Sequence, residues 1–208
     1  MTQRATLQTV TCVVLALPGL WLIAGVIQEI GAPGSQFGAD PPEAVTDYLG
    51  EWAMRMLLLA LCVSPVRRLT GLSQLAPLRR TAGLFAFGYV VAHLLGYLGL
   101  LATFDLAQIA EDFTQRTYII AGLSALAMLT PLAITSTRAW QRRLGRRWLS
   151  LHRLVFAAAL AALLHLFWLT KDGYAEPLLY AGVFALALTE RLVNRLQRRQ
   201  PVPQARSL

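Results

Sequence analysis

The stretch LRRTAGLFAFGYVVAHLLGYLGL, residues 78–100, decides the fold. An arginine pair lies near its start, and the residues that follow are predominantly apolar except for one histidine, His93. A helix that crosses the roughly 30 Å hydrocarbon layer of a bilayer needs about 20 such residues, because each adds about 1.5 Å of rise. The segment therefore predicts a membrane-spanning helix that carries an ionisable side chain at membrane depth.

Apolar stretches of the same kind occupy most of the 208-residue chain. Mean hydropathy is +0.51 and only 14% of residues are charged, which excludes an ordinary soluble domain. We expect an all-α integral membrane protein, a six-helix transmembrane bundle in a single domain, residues 1–208, with residues 194–208 as a cytoplasmic tail. The expected helices cover approximately residues 7–30, 48–65, 81–104, 118–137, 149–170 and 175–193.

The first stretch has an alternative interpretation as a secretory signal, because Arg4 precedes its apolar run. It lacks a clean small-residue cleavage site and its apolar run is long, so a retained helix is the better prediction.

The positive charge is distributed unevenly along the chain. The formal net charge is +8, and sixteen of the nineteen Lys and Arg residues lie at the N-terminus, in the connectors 65–80 and 138–153, or in the C-terminal segment. The positive-inside preference then predicts a multi-pass protein of the bacterial inner membrane with both termini cytoplasmic. Anionic membrane lipid, and no nucleic acid, is the expected partner of these arginines. Cys12 and Cys62 lie in apolar runs without a CxxCH motif, so neither disulfides nor covalently attached haem are expected.

Two histidines are expected at the same depth in different helices. His93 follows Arg79 by 14 residues and His165 follows Arg153 by 12, so each lies about 20 Å from the arginine-rich surface. A haem iron requires two neutral nitrogens on opposite faces of a planar ring, and these imidazoles can supply them. The alternative is a pair of neutral histidines that only hydrogen-bond to nearby backbone carbonyls or serines.

His152 lies closer to the arginine-rich surface, 13 residues before His165. Its depth predicts a site separate from the first. The residues leave three roles open: single protein ligand of a second haem, contact to a haem propionate, or part of a flavin or quinone site.

The chain resembles the family of haem-binding membrane subunits of the periplasmic protein-methionine-sulfoxide reductase system, called MsrQ or YedZ. The segments that carry the resemblance are GEWAMRMLLLALCVSPVRRLTG (50–71), LRRTAGLFAFGYVVAHLLGYLGL (78–100), RTYIIAGLSALAMLTPLAITST (116–137) and RRLGRRWLSLHRLVFAAALAALLHLFWLTKDGYAEPLLYAG (142–182). That family is similar to the transmembrane domain of ferric reductases and NADPH oxidases, in which two helices each carry two haem-ligating histidines. His152 and His165 match this pattern on one helix, and His93 matches it on the other, where Arg79 replaces the inner histidine.

The resemblance implies b-type haem on His93, His165 and His152, with one haem expected and a second left open. It also implies FMN as an optional cofactor, electrons from the quinone pool or a cytosolic flavin reductase, and delivery to a periplasmic molybdopterin methionine-sulfoxide reductase subunit. Arg55 is expected to contact a haem propionate or a quinone, or alternatively to reach the surface toward Glu51. The other candidate contacts, for propionates or a flavin phosphate, are Arg79 and Arg153.

Other functions have less support in the sequence. A Ser-His-Asp set, a P-loop and a carboxylate pair inside the bundle are all missing, so we expect an electron-transfer subunit and no catalytic residues of its own. A proton-coupled transporter or channel is the alternative, but the acidic residues such relays use within the membrane are not evident. A purely structural membrane protein would tolerate replacement of all three histidines.

Overall fold

In the computed structural model, residues 3–171 and 173–197 are described, and within those ranges the chain is helical without any strand. The part of the predicted tail at 198–208 lies outside the described residues. The helices are α1 (Gln3–Gly31), α2 (Pro41–Thr70), α3 (Ala76–Gly96), α4 (Leu106–Gln115), α5 (Thr117–Ile134), α6 (Arg138–Leu144), α7 (Arg146–Leu151), α8 (Leu154–Leu169) and α9 (Ala175–Gln197). A 3₁₀ turn, Ser73–Leu75, precedes α3, and a π-helical turn, Tyr97–Leu101, extends it.

Five helical segments of the described chain are long and apolar enough to cross a membrane, which confirms the prediction of a helical membrane protein. They are Thr6–Gly31, Pro41–Thr70, Ser73–Leu101, Thr117–Ile134 and Arg146–Leu169. The sixth predicted span forms as α9, which packs against α2 and α8 but is not among these five. Its crossing of the membrane therefore stays a prediction.

Several helices differ from those expected from the sequence. Within the predicted helix 149–170, the α-helical hydrogen-bond pattern is interrupted at residues 152–153, between α7 and α8, although both residues keep right-handed helical backbone angles. Helix α4 was not expected, since its ten residues are too few to span a bilayer. Its start is fixed by Asp105, whose carboxylate accepts hydrogen bonds from the backbone N–H groups of Ala107 and Gln108.

The bundle is built from two closely packed helix pairs, α2 with α3 and α5 with α8, and α3 also contacts α5. Small side chains line the packed faces: Ala82 and Ala86 on α3, and Ala158 and Ala159 on α8, are all at most 1% exposed. Small residues let helix backbones approach closely, which is the main source of helix association within a bilayer. The two pairs therefore hold α3 and α8 in fixed positions within the bundle.

Helix α1 lies beside this core and is joined to it by Tyr89 of α3. The Tyr89 hydroxyl donates to the Leu15 carbonyl at 3.2 Å and accepts from the Gly19 backbone N–H at 2.9 Å. These two backbone groups would otherwise pair with each other, one helical turn apart, next to Pro18. The hydroxyl thus inserts into the hydrogen-bond ladder of α1.

Candidate haem site

The structure brings His93 of α3 and His165 of α8 together inside the bundle. Their ring centroids are 6.1 Å apart and the ring planes are inclined by 79°. Metal–imidazole bonds of about 2 Å on each side would occupy roughly 4 Å of this separation, and the two ring radii account for the rest. The spacing therefore suits one metal ion between the two rings.

Backbone carbonyls fix the orientation of both imidazoles. His93 Nδ1 lies 2.8 Å from the Thr46 carbonyl oxygen on α2, and His165 Nδ1 lies 2.6 Å from the Tyr118 carbonyl oxygen on α5. A carbonyl can only accept, so each Nδ1 carries the proton and donates it. In a neutral imidazole held in this way, Nε2 has the lone pair that a metal ligand needs. The alternative interpretation was that both histidines only hydrogen-bond to backbone carbonyls. Those hydrogen bonds exist, but they involve Nδ1, whereas a metal would bind at Nε2.

Sequence reasoning did not find the residues that supply these carbonyls. A backbone oxygen carries no side-chain signal, so nothing at Thr46 or Tyr118 distinguishes it in the sequence. Only the packing of α2 on α3 and of α5 on α8 selects these two positions.

A polar cluster braces one end of this site. The Asp112 carboxylate, in α4, accepts from the Tyr97 hydroxyl at 2.6 Å and pairs with Arg116 Nε at 2.7 Å. Arg116 in turn donates to the Tyr118 hydroxyl at 3.0 Å. Tyr97 follows His93 by one helical turn, and the Tyr118 carbonyl holds His165. The cluster therefore links the segments that position both imidazoles.

His152 faces a separate cavity at the arginine-rich end of the bundle. The cavity has a volume of about 310 Å³, and its lining includes Arg79, Arg80, Trp148 and His152. This volume is at the lower end of the range typical of small-molecule sites. The His152 ring stacks on Trp148 with centroids 3.9 Å apart, and its Nδ1 contacts the Trp148 carbonyl at 3.2 Å. The backbone of Leu132 is a second hydrogen-bond partner of the ring. Arg153 lies outside the lining of the cavity.

Arg55 is engaged by protein groups in the structure. Its guanidinium donates to Glu51 at 2.8 Å, to Glu176 at 3.0 Å and to the Tyr180 hydroxyl at 2.9 Å. The contact to Glu51 is the one expected if Arg55 reaches the surface. A role for Arg55 in cofactor binding stays a prediction.

A planar ring ligated on both faces fits the donor set at the first site. Both donors are imidazoles whose Nδ1 atoms are engaged by carbonyls, so that Nε2 is the nitrogen available for a metal, and they come from different helices.

These features define a ferric-reductase-like membrane protein. Residues 49–163 match the family described as ferric reductase like transmembrane component. The chain is 45% identical over 185 residues to the protein-methionine-sulfoxide reductase heme-binding subunit MsrQ of Rhodospirillum rubrum, covering 88% of this chain and 86% of that protein. It is 45% identical to MsrQ of Xanthomonas campestris pv. campestris, with 85% and 86% covered, and 41% identical to MsrQ of Xanthomonas oryzae pv. oryzae, with 91% and 90% covered. The chain belongs to the MsrQ family, which confirms the resemblance found in the sequence.

Proposed function

We propose that this protein is a transmembrane electron carrier that binds haem b between His93 and His165 and delivers electrons to a periplasmic molybdopterin methionine-sulfoxide reductase subunit. The observation that carries the proposal is the pair of facing imidazoles, 6.1 Å apart, each with Nδ1 bound to a carbonyl. The names of the relatives, heme-binding subunits of protein-methionine-sulfoxide reductase, support the same function.

The residues of the chain hold the redox site. The Thr46 and Tyr118 carbonyls keep both imidazoles in the neutral tautomer that ligates through Nε2. A haem bound there supplies reversible one-electron chemistry between its ferric and ferrous states.

Electrons enter at the cavity that contains His152. The side chains that line the cavity could bind one of three groups: a second haem ligated by His152, an FMN whose phosphate contacts Arg79, or a quinone that hydrogen-bonds to His152. The donor is accordingly the quinone pool or a cytosolic flavin reductase. Arg153, which lies outside the lining, contacts lipid phosphate or a cofactor group near the end of the cavity.

The proposed orientation follows the distribution of arginine. With α9 as a sixth span, both termini of this inner-membrane protein lie in the cytoplasm together with the His152 cavity. The brace around Asp112 then lies on the periplasmic side, where the catalytic partner docks.

Spectroscopy of the purified protein tests the haem site. The dithionite-reduced protein should show a b-type spectrum, and a pyridine haemochrome assay should count its haem. His93→Ala and His165→Ala should each abolish the haem that they share, because a single imidazole leaves one face of the iron without its protein ligand. His152→Ala is the matched control, since it removes the third histidine and should leave this haem in place. Full haem content and an unchanged spectrum in both the His93 and the His165 variants would refute the proposal.

A second set of variants tests the cavity that His152 lines. Haem count and flavin extraction on His152→Ala and Arg79→Gln should show loss of the second cofactor, or slower reduction by a quinol analogue if the occupant is a quinone. Arg147→Gln removes an exposed arginine at the same end of the bundle that does not line the cavity, and it serves as the control. Wild-type cofactor content and reduction rate in both cavity variants would contradict the assignment of the cavity.

A further inference from the structure

A glycine lies directly beneath each of the two facing imidazoles. A Cβ atom added at Gly50 of α2 would lie 3.0 Å from His93 Nδ1 and 3.1 Å from its Cε1. One added at Gly122 of α5 would lie 3.0 Å from His165 Nδ1 and 3.2 Å from its Cε1. All four of these distances are shorter than ordinary van der Waals contact, which begins at 3.4 Å. An alanine at either position would therefore displace the ring by a few tenths of an ångström.

The two glycines occupy the same place in two equivalent arrangements. Gly50 lies one turn after Thr46 and Gly122 one turn after Tyr118, the residues whose carbonyls accept from the histidines. The sequence separation between carbonyl and histidine is 47 residues in both cases. Two helix pairs, α2 with α3 and α5 with α8, thus present an imidazole in the same way.

Helix geometry explains why glycine is needed at this position. In an α-helix the carbonyl of residue i accepts the backbone N–H of residue i+4, so one lone pair of each carbonyl is already used within the helix. The second lone pair can accept the imidazole Nδ1–H only if the ring approaches past residue i+4. A side chain there would crowd the ring and lengthen or tilt this hydrogen bond.

We infer that Gly50 and Gly122 are positioning residues for the two haem-ligating histidines: by omitting a side chain they open a carbonyl lone pair that fixes the tautomer, plane and basicity of each imidazole. This inference rests on the proposed function, in which His93 and His165 bind haem. A hydrogen bond donated from Nδ1 makes an imidazole a stronger donor to the metal, which favours ferric over ferrous iron. Loss of either hydrogen bond therefore raises the midpoint potential of the haem.

The test uses Gly50→Ala and Gly122→Ala in the full-length protein purified with its haem. Gly88→Ala is the matched control, because it makes the same change on α3, five residues before His93, where an added Cβ meets no atom within 4 Å. Three properties are measured: haem content by pyridine haemochrome, midpoint potential by redox titration, and the low-spin ferric EPR spectrum, which depends on the angle between the imidazole planes.

The expected result is a positive shift of the midpoint potential and an altered EPR spectrum in Gly50→Ala and in Gly122→Ala, with wild-type values in Gly88→Ala. Full haem content with wild-type potential and EPR spectrum in both variants would overturn the inference. That result would leave the proposed function intact, because the proposed function fails only if the His93 and His165 variants keep their haem.

If a glycine variant loses its haem, its melting temperature is measured by tryptophan fluorescence. This temperature is compared with that of the haem-free His93→Ala protein. An equal melting temperature supports the positioning role, because the fold is then intact and only the ligand geometry has failed. A markedly lower one would assign the glycines to helix packing alone and overturn the inference.

Discussion

Replacing Asp112 should weaken the brace that joins the two halves of the haem site. Its carboxylate is 4% exposed and makes two interactions, with the Tyr97 hydroxyl at 2.6 Å and with Arg116 Nε at 2.7 Å. A hydrogen bond to a buried charged group contributes about 1.5–3 kcal/mol to stability. The Arg116 side chain is 53% exposed, so solvent screening limits the ion pair to at most about 1 kcal/mol. Asp112→Ala should therefore lower the free energy of unfolding by about 2–4 kcal/mol.

Melting followed by tryptophan fluorescence in detergent measures this effect. For a chain of about this length, 1 kcal/mol corresponds to about 2–4 °C, so Asp112→Ala should lower the melting temperature by roughly 4–16 °C. Asp112→Asn keeps an acceptor for the Tyr97 hydroxyl, so it should lower the melting temperature by about half as much. The control is Glu111→Ala, which removes the same charge from an exposed neighbour on α4.

The same variant should also disturb the haem. Tyr97 lies one turn after His93, and Arg116 contacts the residue whose carbonyl holds His165. We expect Asp112→Ala to release haem at a lower temperature than Glu111→Ala does. Identical melting and haem release in the Asp112 and Glu111 variants would refute the idea that this cluster is a brace.

Two further predictions concern the attachment of helices at the edges of the bundle. Tyr89→Phe should lower the melting temperature by only about 2–4 °C, corresponding to about 1 kcal/mol, because the Gly19 N–H and Leu15 carbonyl can then pair with each other; a fall beyond 10 °C would contradict this relaxation of α1. Arg55→Gln should leave the haem content unchanged and lower the melting temperature, because two carboxylates lose their shared cation. Haem loss at an unchanged melting temperature would instead assign Arg55 to the cofactor.

The sequence predicted the helical membrane architecture because hydropathy and helix rise are local properties. About 20 apolar residues must form a helix in a bilayer, since only hydrogen bonds within the segment satisfy its backbone. The common depth of His93 and His165 followed from counting residues after Arg79 and Arg153, and the structure brings these two imidazoles together. Features shorter than a span were harder to predict: α4 is amphipathic and too short to cross, and the break in α-helical hydrogen bonding at His152 has no clear signal in the sequence.

The tertiary structure alone decided which groups surround each histidine, because these groups depend on how the helices are rotated and paired. Depth along a helix can be counted in the sequence, but the rotation of α2 and α5 that brings Gly50 and Gly122 beneath the imidazoles arises from packing across the bundle. The carbonyls that fix the tautomers have no side-chain signature. Asp112 and its partner Tyr97 likewise come from different helical segments. Sequence therefore determined which elements form and at what height their histidines lie, whereas packing determined which atoms face those histidines, because side-chain environment is set by contacts distant in the chain.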